Sequence, residues 1–240
     1  IISVLILLLL SISKSFGMDL NNLNTKKGVI TLMYHRFNEN KYPSTNVRNE
    51  IFVEHLKEIK NSKIEFITFE KFEKIIKTSI EENYLLLTID DAFESFYVNA
   101  WPILKNKQIP FVLFVSTREI GKHGYMNWEQ IKELDSSNLV TIGNHSHSHE
   151  YLIDWKENKI KSDLETSIKI FEKKLGYSPK IFSYPFGEYS ITLKKIVSDL
   201  NFEFAFGQHS GVIDPTKDFL ELPRFPINEK YGDLKRFKSI

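Results

Sequence analysis

Two short stretches of this chain hold the residue types that could do chemistry. TIDD (88–91) sets two adjacent carboxylates, Asp90 and Asp91, at the end of an apolar run. NHSHSHE (144–150) sets His145, His147 and His149 at alternate positions in a chain with only 7 His in 240 residues. Two imidazoles four apart come to one side of a helical turn, so His145 and His149 suit a shared metal ion, while His147 points elsewhere. An Asp from another strand end would complete three neutral or anionic donors and leave positions open for water and substrate. Neighbouring residues of a strand face opposite ways, so Asp90 and Asp91 meet one point only if the chain curls as it leaves the sheet. A curl would give them different jobs, one as ligand and one as base. Taken singly, each stretch has a plainer account: an Asp pair can cap a following helix, and histidines four apart occur on helices by chance.

Other candidates are less specific. In SYPFGEYS (183–190), Pro185 and Gly187 flank Phe186 and impose a turn, which can present a backbone N–H to an oxyanion or serve as an ordinary loop. Tyr184 and Trp128 can stack on a sugar ring or pack in the core. His35 is either part of a pocket wall or a satisfied histidine beside it. His209, in the Gly-bounded FGQHSG (206–211), faces a site or solvent. His55 falls in a helical segment and His123 in a loop, and neither is given a role.

The elements that must position these residues alternate between strand and helix. Candidate strands are VITLMY (29–34), IEFIT (64–68), YLLLTI (84–89), FVLFVS (111–116), LVTIG (139–143), KIFSY (180–184), FEFAF (202–206) and a weak FLEL (219–222). Between them Phe52, Leu56 and Ile59 share a helical face, as do Trp128, Ile131 and Leu134; Ile160, Leu164, Ile168, Phe171 and Leu175 form the longest stripe, ending at Gly176. This is the pattern of βα units around a parallel sheet, in one domain. His35, Asp90 and Asp91, His145 to His149, Tyr184 to Gly187, His209 and Arg224 all follow C-terminal strand ends, the rim on which parallel-barrel enzymes place their sites.

Composition narrows the classes further. With 32 basic and 31 acidic residues the formal net charge is +1, so balance alone implies neither nucleic acid nor a membrane surface as partner. The absence of cysteine excludes disulfides, thiolate metal sites and a cysteine nucleophile. IISVLILLLLSISKSFG (1–17) reads as a secretory signal, truncated or anchor-like, ahead of a domain over 18–240. Its apolar run is shorter than the ~18 residues of a membrane span. The expectation is an exported protein, extracellular, periplasmic or bound to the cell envelope, with no stable membrane span and a monomeric state favoured.

TIDD resembles the T-F-D-D motif, HSHSH the H-[ST]-x-x-H motif and SYPFG the R-x-P-[FY]-G motif of the polysaccharide deacetylases that share the NodB homology domain, carbohydrate esterase family 4. Order and spacing agree over roughly residues 28 to 226. MYHR (33–36) and LPRF (222–225) look like the branch acting on poly-N-acetylglucosamine. The resemblance implies a distorted (β/α)7-8 barrel with its active site at the C-terminal strand ends. It implies a divalent metal, zinc before cobalt, nickel or iron, on Asp91, His145 and His149. It also implies Asp90 as general base and the Phe186 N–H as oxyanion donor, with Tyr184, Pro185, Gly187, His35 and Arg224 around an acetylated glycan. A metal that lowers the pKa of bound water from ~15.7 towards ~7 makes such a hydrolysis coherent near neutral pH.

Two departures from the family pattern need substitutes. The motif's Arg is Ser183 here, and Arg224, arriving from another strand end, is the cation that can replace it beside Asp90. The late L-x-H motif is missing, which leaves His209 as the nominated general acid. Alternatives are a barrel that binds glycan without turnover, and a deacetylase of peptidoglycan, chitin oligomers or O-acetyl groups. A non-haem iron oxygenase would need an H-x-[DE] pair that this chain lacks. A glycosidase needs its carboxylates at least ~5 Å apart on opposite sides of the scissile bond, which adjacent residues rarely manage.

Overall fold

In YLLLTI successive side chains part company: Leu85, Leu87 and Ile89 enter a layer beneath the helices, while Leu86 points into the opposite, inner cluster. A strand apolar on both faces belongs in the middle of a parallel sheet covered by helices. The structure, a computed structural model, describes residues 27–240; the leader expected over 1–17 lies outside the described residues. No helix among the described residues is long and apolar enough to cross a membrane.

The strands are β1 (Val29–Tyr34), β2 (Arg36–Phe37), β3 (Asn46–Val47), β4 (Glu65–Phe66), β5 (Tyr84–Ile89), β6 (Phe111–Val115), β7 (Val140–Asn144), β8 (Ile181–Ser183), β9 (Phe204–Phe206), β10 (Val212–Ile213) and β11 (Phe225–Pro226). The helices are α1 (Asn49–Ser62), α2 (Phe69–Ile76), α3 (Glu94–Asn99), α4 (Trp101–Lys107), α5 (Trp128–Asp135), α6 (Glu157–Leu175), α7 (Ile191–Asp199) and α8 (Leu234–Phe237). The main sheet runs β10-β1-β5-β6-β7-β8-β9, with β4 on β5 and β11 on β1; β2 and β3 pair separately. β10 is antiparallel to β1, and the other pairings are parallel. This is the distorted α/β barrel expected, curled until residues 222–226 bridge its ends: Leu222 pairs with Phe206, and Phe225 and Pro226 pair with Leu32 and Met33.

The weak strand expected over 219–222 is corrected by this closure. Asp218 accepts from Leu220 N through its side chain and from Glu221 N through its carbonyl, so the segment turns before Leu222 meets the sheet. The second expected strand shortens to β4 because Thr68 leaves it to cap α2, accepting from Lys71 N. The three helical faces form as expected, and Gly176 ends α6 at φ 85, a conformation open to glycine.

Inside the barrel Val29, Leu86, Val112, Phe114, Ile181, Phe204 and Phe206 form one cluster. Gly143 is required there: a Cβ at that position would lie 2.4 Å from the Phe114 ring. Trp128 packs edge-on against Phe171, so its ring serves the helix layer.

His55, given no role from sequence, is a buried strut. Its Nε2 lies 2.6 Å from the Gly232 carbonyl and its Nδ1 3.0 Å from the Tyr34 hydroxyl, with the ring stacked on Phe237. A neutral ring protonated on Nε2 satisfies both, donating to Gly232 and accepting from Tyr34. Burial pushes the His55 pKa below its ordinary value. The unfolded chain therefore takes up a proton first, and stability complete above the ordinary histidine pKa falls as pH drops through it. Denaturant midpoints measured from pH 7 to pH 5 are expected to fall more steeply in the wild type than in His55→Gln.

Candidate active site

At the end of β5 the chain does curl. Asp91 and Ala92 take φ 74 and 56, left-handed values costly for residues with a Cβ. The curl turns Asp91 back towards the side that Asp90 already faces. Neither Asp caps the next helix, because Phe93 stands at the N-cap of α3 with no side-chain bond to it.

His145 to His149 reach the same place by a different geometry from the helical turn expected. The segment is a tight loop with Ser146 at φ 69 and His149 at φ 52. Asn144 Oδ1 accepts from Ser146 N (2.8 Å), Ser146 Oγ from His149 N (3.0 Å), and the Asp163 carboxylate from His147 N (2.9 Å) and Ser148 N (3.1 Å). Side-chain acceptors thus replace the missing helical ladder. Asn144 is itself held by Ser167 of α6 at 2.7 Å. Asp163 and Ser167 were missed from sequence; their signal was polar residues interrupting the apolar stripe of α6.

One ligand atom each from Asp91, His145 and His149 lies within 4.8 Å of the others. Asp91 Oδ1 stands 3.0 Å from His149 Nε2 and 3.4 Å from His145 Nε2. His145 Nδ1 lies 2.7 Å from the Ser183 carbonyl, which takes its proton and leaves Nε2 as a lone pair facing Asp91. Asp91 Oδ1 is buried with no correctly directed hydrogen-bond donor. Ligand atoms converging this closely fit one divalent cation, and the His₂Asp donor set is of the type that holds one. Burial alone would raise the Asp91 pKa, but the two imidazoles outweigh it and hold the carboxyl well below its usual range. Burial likewise acts to lower His149, and Asp91 reverses it, leaving that imidazole raised.

Asp90, whose Oδ2 lies 3.9 Å from His145 Nε2, is distinguished from Asp91 by its partner. Arg224 Nη1 meets Asp90 Oδ1 at 2.7 Å and Nη2 meets Oδ2 at 2.8 Å, a bidentate pair with both side chains buried. Ser183 Oγ accepts from Arg224 Nη2 (2.8 Å) and donates to Asp90 Oδ2 (3.1 Å). Arg224 also donates to the Gly207 carbonyl and the Thr88 hydroxyl, and its guanidinium lies 5.5 Å from the Phe114 ring centroid. Burial would raise Asp90, and Arg224 with His145 more than offsets it, so the carboxyl stays below its ordinary value.

His35 continues the inward row of β1 and joins the site. Its Nδ1 is shielded from solvent without a hydrogen-bond partner. Burial lowers its pKa against the opposing pull of Asp91 and Asp90. Phe186 sits in the left-handed region at φ 60, half exposed, with its ring 5.0 Å from His149. Pro185 is buried, and Gly187 at φ 72 admits no Cβ, which would lie 2.0 Å from Gln208 Cβ.

Two candidates lie elsewhere. Tyr184 is corrected from substrate platform to core: it is fully buried and its hydroxyl donates to the Leu220 carbonyl at 3.0 Å. His209 is exposed, beside Tyr189 at 6.2 Å, and the charges acting on it are Glu221 and Lys217, not the Asp–His cluster. Arg224 takes the interior position beside Gly207, so the chain carries His209 outward. His147 stays outside the cluster with its Nδ1 2.9 Å from Thr117 Oγ1.

Among curated relatives, the poly-beta-1,6-N-acetyl-D-glucosamine N-deacetylase of Staphylococcus aureus strain MSSA476 is 26% identical over 178 residues, 69% of this chain and 60% of the relative. The chain therefore spans about three fifths of the length of that relative. Among solved structures, IcaB from Ammonifex degensii superposes with a TM-score of 0.80 at 24% identity, covering 89% of this chain and 96% of that one. The Streptococcus pyogenes deacetylase PplD, in complex with acetate, gives 0.78 at 21% identity, covering 89% and 98%. Both likenesses establish the barrel. The family model for polysaccharide deacetylase matches residues 77–205, a span containing both aspartates, the histidine loop and the Phe186 turn, and so the chain belongs to the polysaccharide deacetylase family.

Proposed function

We propose that this chain is a metal-dependent hydrolase removing acetyl groups from an N-acetylated glycan that contains N-acetylglucosamine. The observation that carries the reading is the division of labour between adjacent aspartates. Asp91 belongs to an open three-donor cluster, while Asp90 beside it is locked by a buried guanidinium. Asp91, His145 and His149 would hold the divalent ion, zinc before cobalt, nickel or iron, which when bound supplies Lewis acidity to the acetyl carbonyl and to the attacking water.

The remaining work falls to the chain itself. Asp90, kept ionised by Arg224, takes a proton from the attacking water; its Oδ2, held by Arg224 and Ser183, lies 3.9 Å from His145 Nε2 of the cluster. The Phe186 N–H, at its left-handed turn, faces the developing oxyanion. The proton that Asp90 takes is passed on to the departing amine and does not come from the exposed His209, while His35, pushed towards the neutral imidazole by burial among the charges of Asp91 and Asp90, lines the site. The glycan assignment is supported by the family and by the substrate in the name of the Staphylococcus aureus relative. Export is supported by the apolar run in residues 1–10.

Acetate release from N-acetylglucosamine oligomers with added Zn²⁺ or Co²⁺ tests the reading. Asp90→Asn is expected to lower turnover by ~10²-fold or more, the contribution of a positioned base. Equal, negligible release from both proteins would favour a glycan-binding barrel without turnover.

A further inference from the structure

Beside the cluster, between the Phe186 turn and the end of β9, opens a cleft of about 590 Å³ lined by Phe186, Gly187, Glu188, Tyr189, Gln208 and His209. Its size is that of a small-ligand site. The walls are held in place: Gln208 N donates to the Gly187 carbonyl at 3.2 Å, and Tyr189 rests on the buried Tyr184 ring at 5.0 Å. Phe186, 52% exposed, forms the wall shared with the metal cluster through its contact with His149.

Glu188 gives the cleft its charge. The Tyr151 hydroxyl donates to its Oε2, and the Tyr151 ring packs on Phe186 at 5.6 Å, so the carboxylate is oriented. The nearby Glu221 and Asp218 are both matched by Lys194. Glu188 differs, because its partner is a hydroxyl and not a cation. An anion oriented by a hydroxyl, in a cleft that two aromatic side chains also line, is an arrangement that receives an ammonium group.

Resting on the deacetylase reading above, we propose that this cleft binds an amine-bearing glucosamine unit next to the acetylated unit being turned over, so that the enzyme favours partly deacetylated chains. The ammonium lies against Glu188, with Phe186 and Tyr189 on either side. A neutral acetamide there would desolvate the carboxylate without supplying a charge. Gln208 and His209 offer hydrogen bonds to the sugar hydroxyls, which gives His209 a place in binding.

The test compares kcat/KM for defined N-acetylglucosamine oligomers, fully acetylated or carrying one glucosamine beside the acetylated unit, in metal-loaded wild type and Glu188→Gln. Wild type is expected to favour the amine-bearing oligomer by about fivefold through a lower KM, the scale of one partly exposed charge pair. The ratio should fall to about one in Glu188→Gln and in about 0.5 M salt. Equal values in wild type, or a preference that survives Glu188→Gln, overturn the proposal. Failure of the deacetylase reading looks different, since neither oligomer then releases acetate. In that event calorimetric titration with a glucosamine oligomer decides: binding lost in Glu188→Gln supports the cleft, and equal or absent binding overturns it.

Discussion

Replacing Arg224 with alanine is expected to destabilise the protein by ~3–5 kcal/mol, the usual cost of removing one partner from a buried ion pair. Asp90 would stay in the barrel with its charge uncompensated, and the Gly207 carbonyl, the Thr88 hydroxyl and Ser183 Oγ would each lose a donor. For a chain of this size that corresponds to a fall in Tm of roughly 6–20 °C. The control is Arg224→Met with Asp90→Asn, which removes both charges and keeps most of the side-chain volume; it should recover much of the loss, because the penalty belongs to the orphaned carboxylate. Thermal unfolding of the single and double variants, with secondary structure followed by circular dichroism, measures both. An Arg224→Ala protein within ~1 kcal/mol of wild type would mean that Asp90 does not depend on this pair. Loss of turnover in Arg224→Ala should accompany the loss of stability, since the guanidinium also orients the proposed base.

Stripping divalent ions with a chelator is expected to reduce acetate release to background, and replacing Asp91 with alanine should make that loss permanent. Asp91 supplies the only carboxylate of the three-donor cluster among the described residues. Its oxygen is the buried acceptor without a directed donor, so its neighbours are arranged for a cation, not for one another. Activity is not the sole readout. An ion that binds the folded state and not the unfolded one stabilises by about 2.7 kcal/mol at a hundredfold excess over its Kd. Added Zn²⁺ should therefore raise the wild-type Tm and leave Asp91→Ala unmoved. A Tm increase of equal size in both proteins would place the ion elsewhere.

Much of the fold was legible because its strands are long and apolar. VITLMY and YLLLTI became β1 and β5 without change of boundary, since each is buried on both faces. FLEL failed as a strand because Asp218 binds the backbone locally and turns it, a competition that β-propensity does not register. His145 and His149 were chosen by a spacing of four, and they do converge. The helical turn assumed for them is absent, because Asp163, from a helix beyond the loop, captures the amides that would have built it.

Tyr184 and His209 show the limit more sharply. Both stand at strand ends in sequence, yet one turns into the core and the other to solvent. At a strand end the period of two no longer dictates direction, and the neighbours that settle it come from distant segments. Strand pattern by itself determined the parallel sheet and its rim, and the family resemblance carried by TIDD, HSHSH and SYPFG implied the barrel and the set of aspartates and histidines. The partner of Asp90 was decided only in three dimensions. Ser183 leaves room where a longer side chain would stand, and a guanidinium 134 residues beyond Asp90 fills it when residues 222–226 close the barrel. A charge pair buried across that separation depends on which segments share the interior, and local sequence carries no record of that.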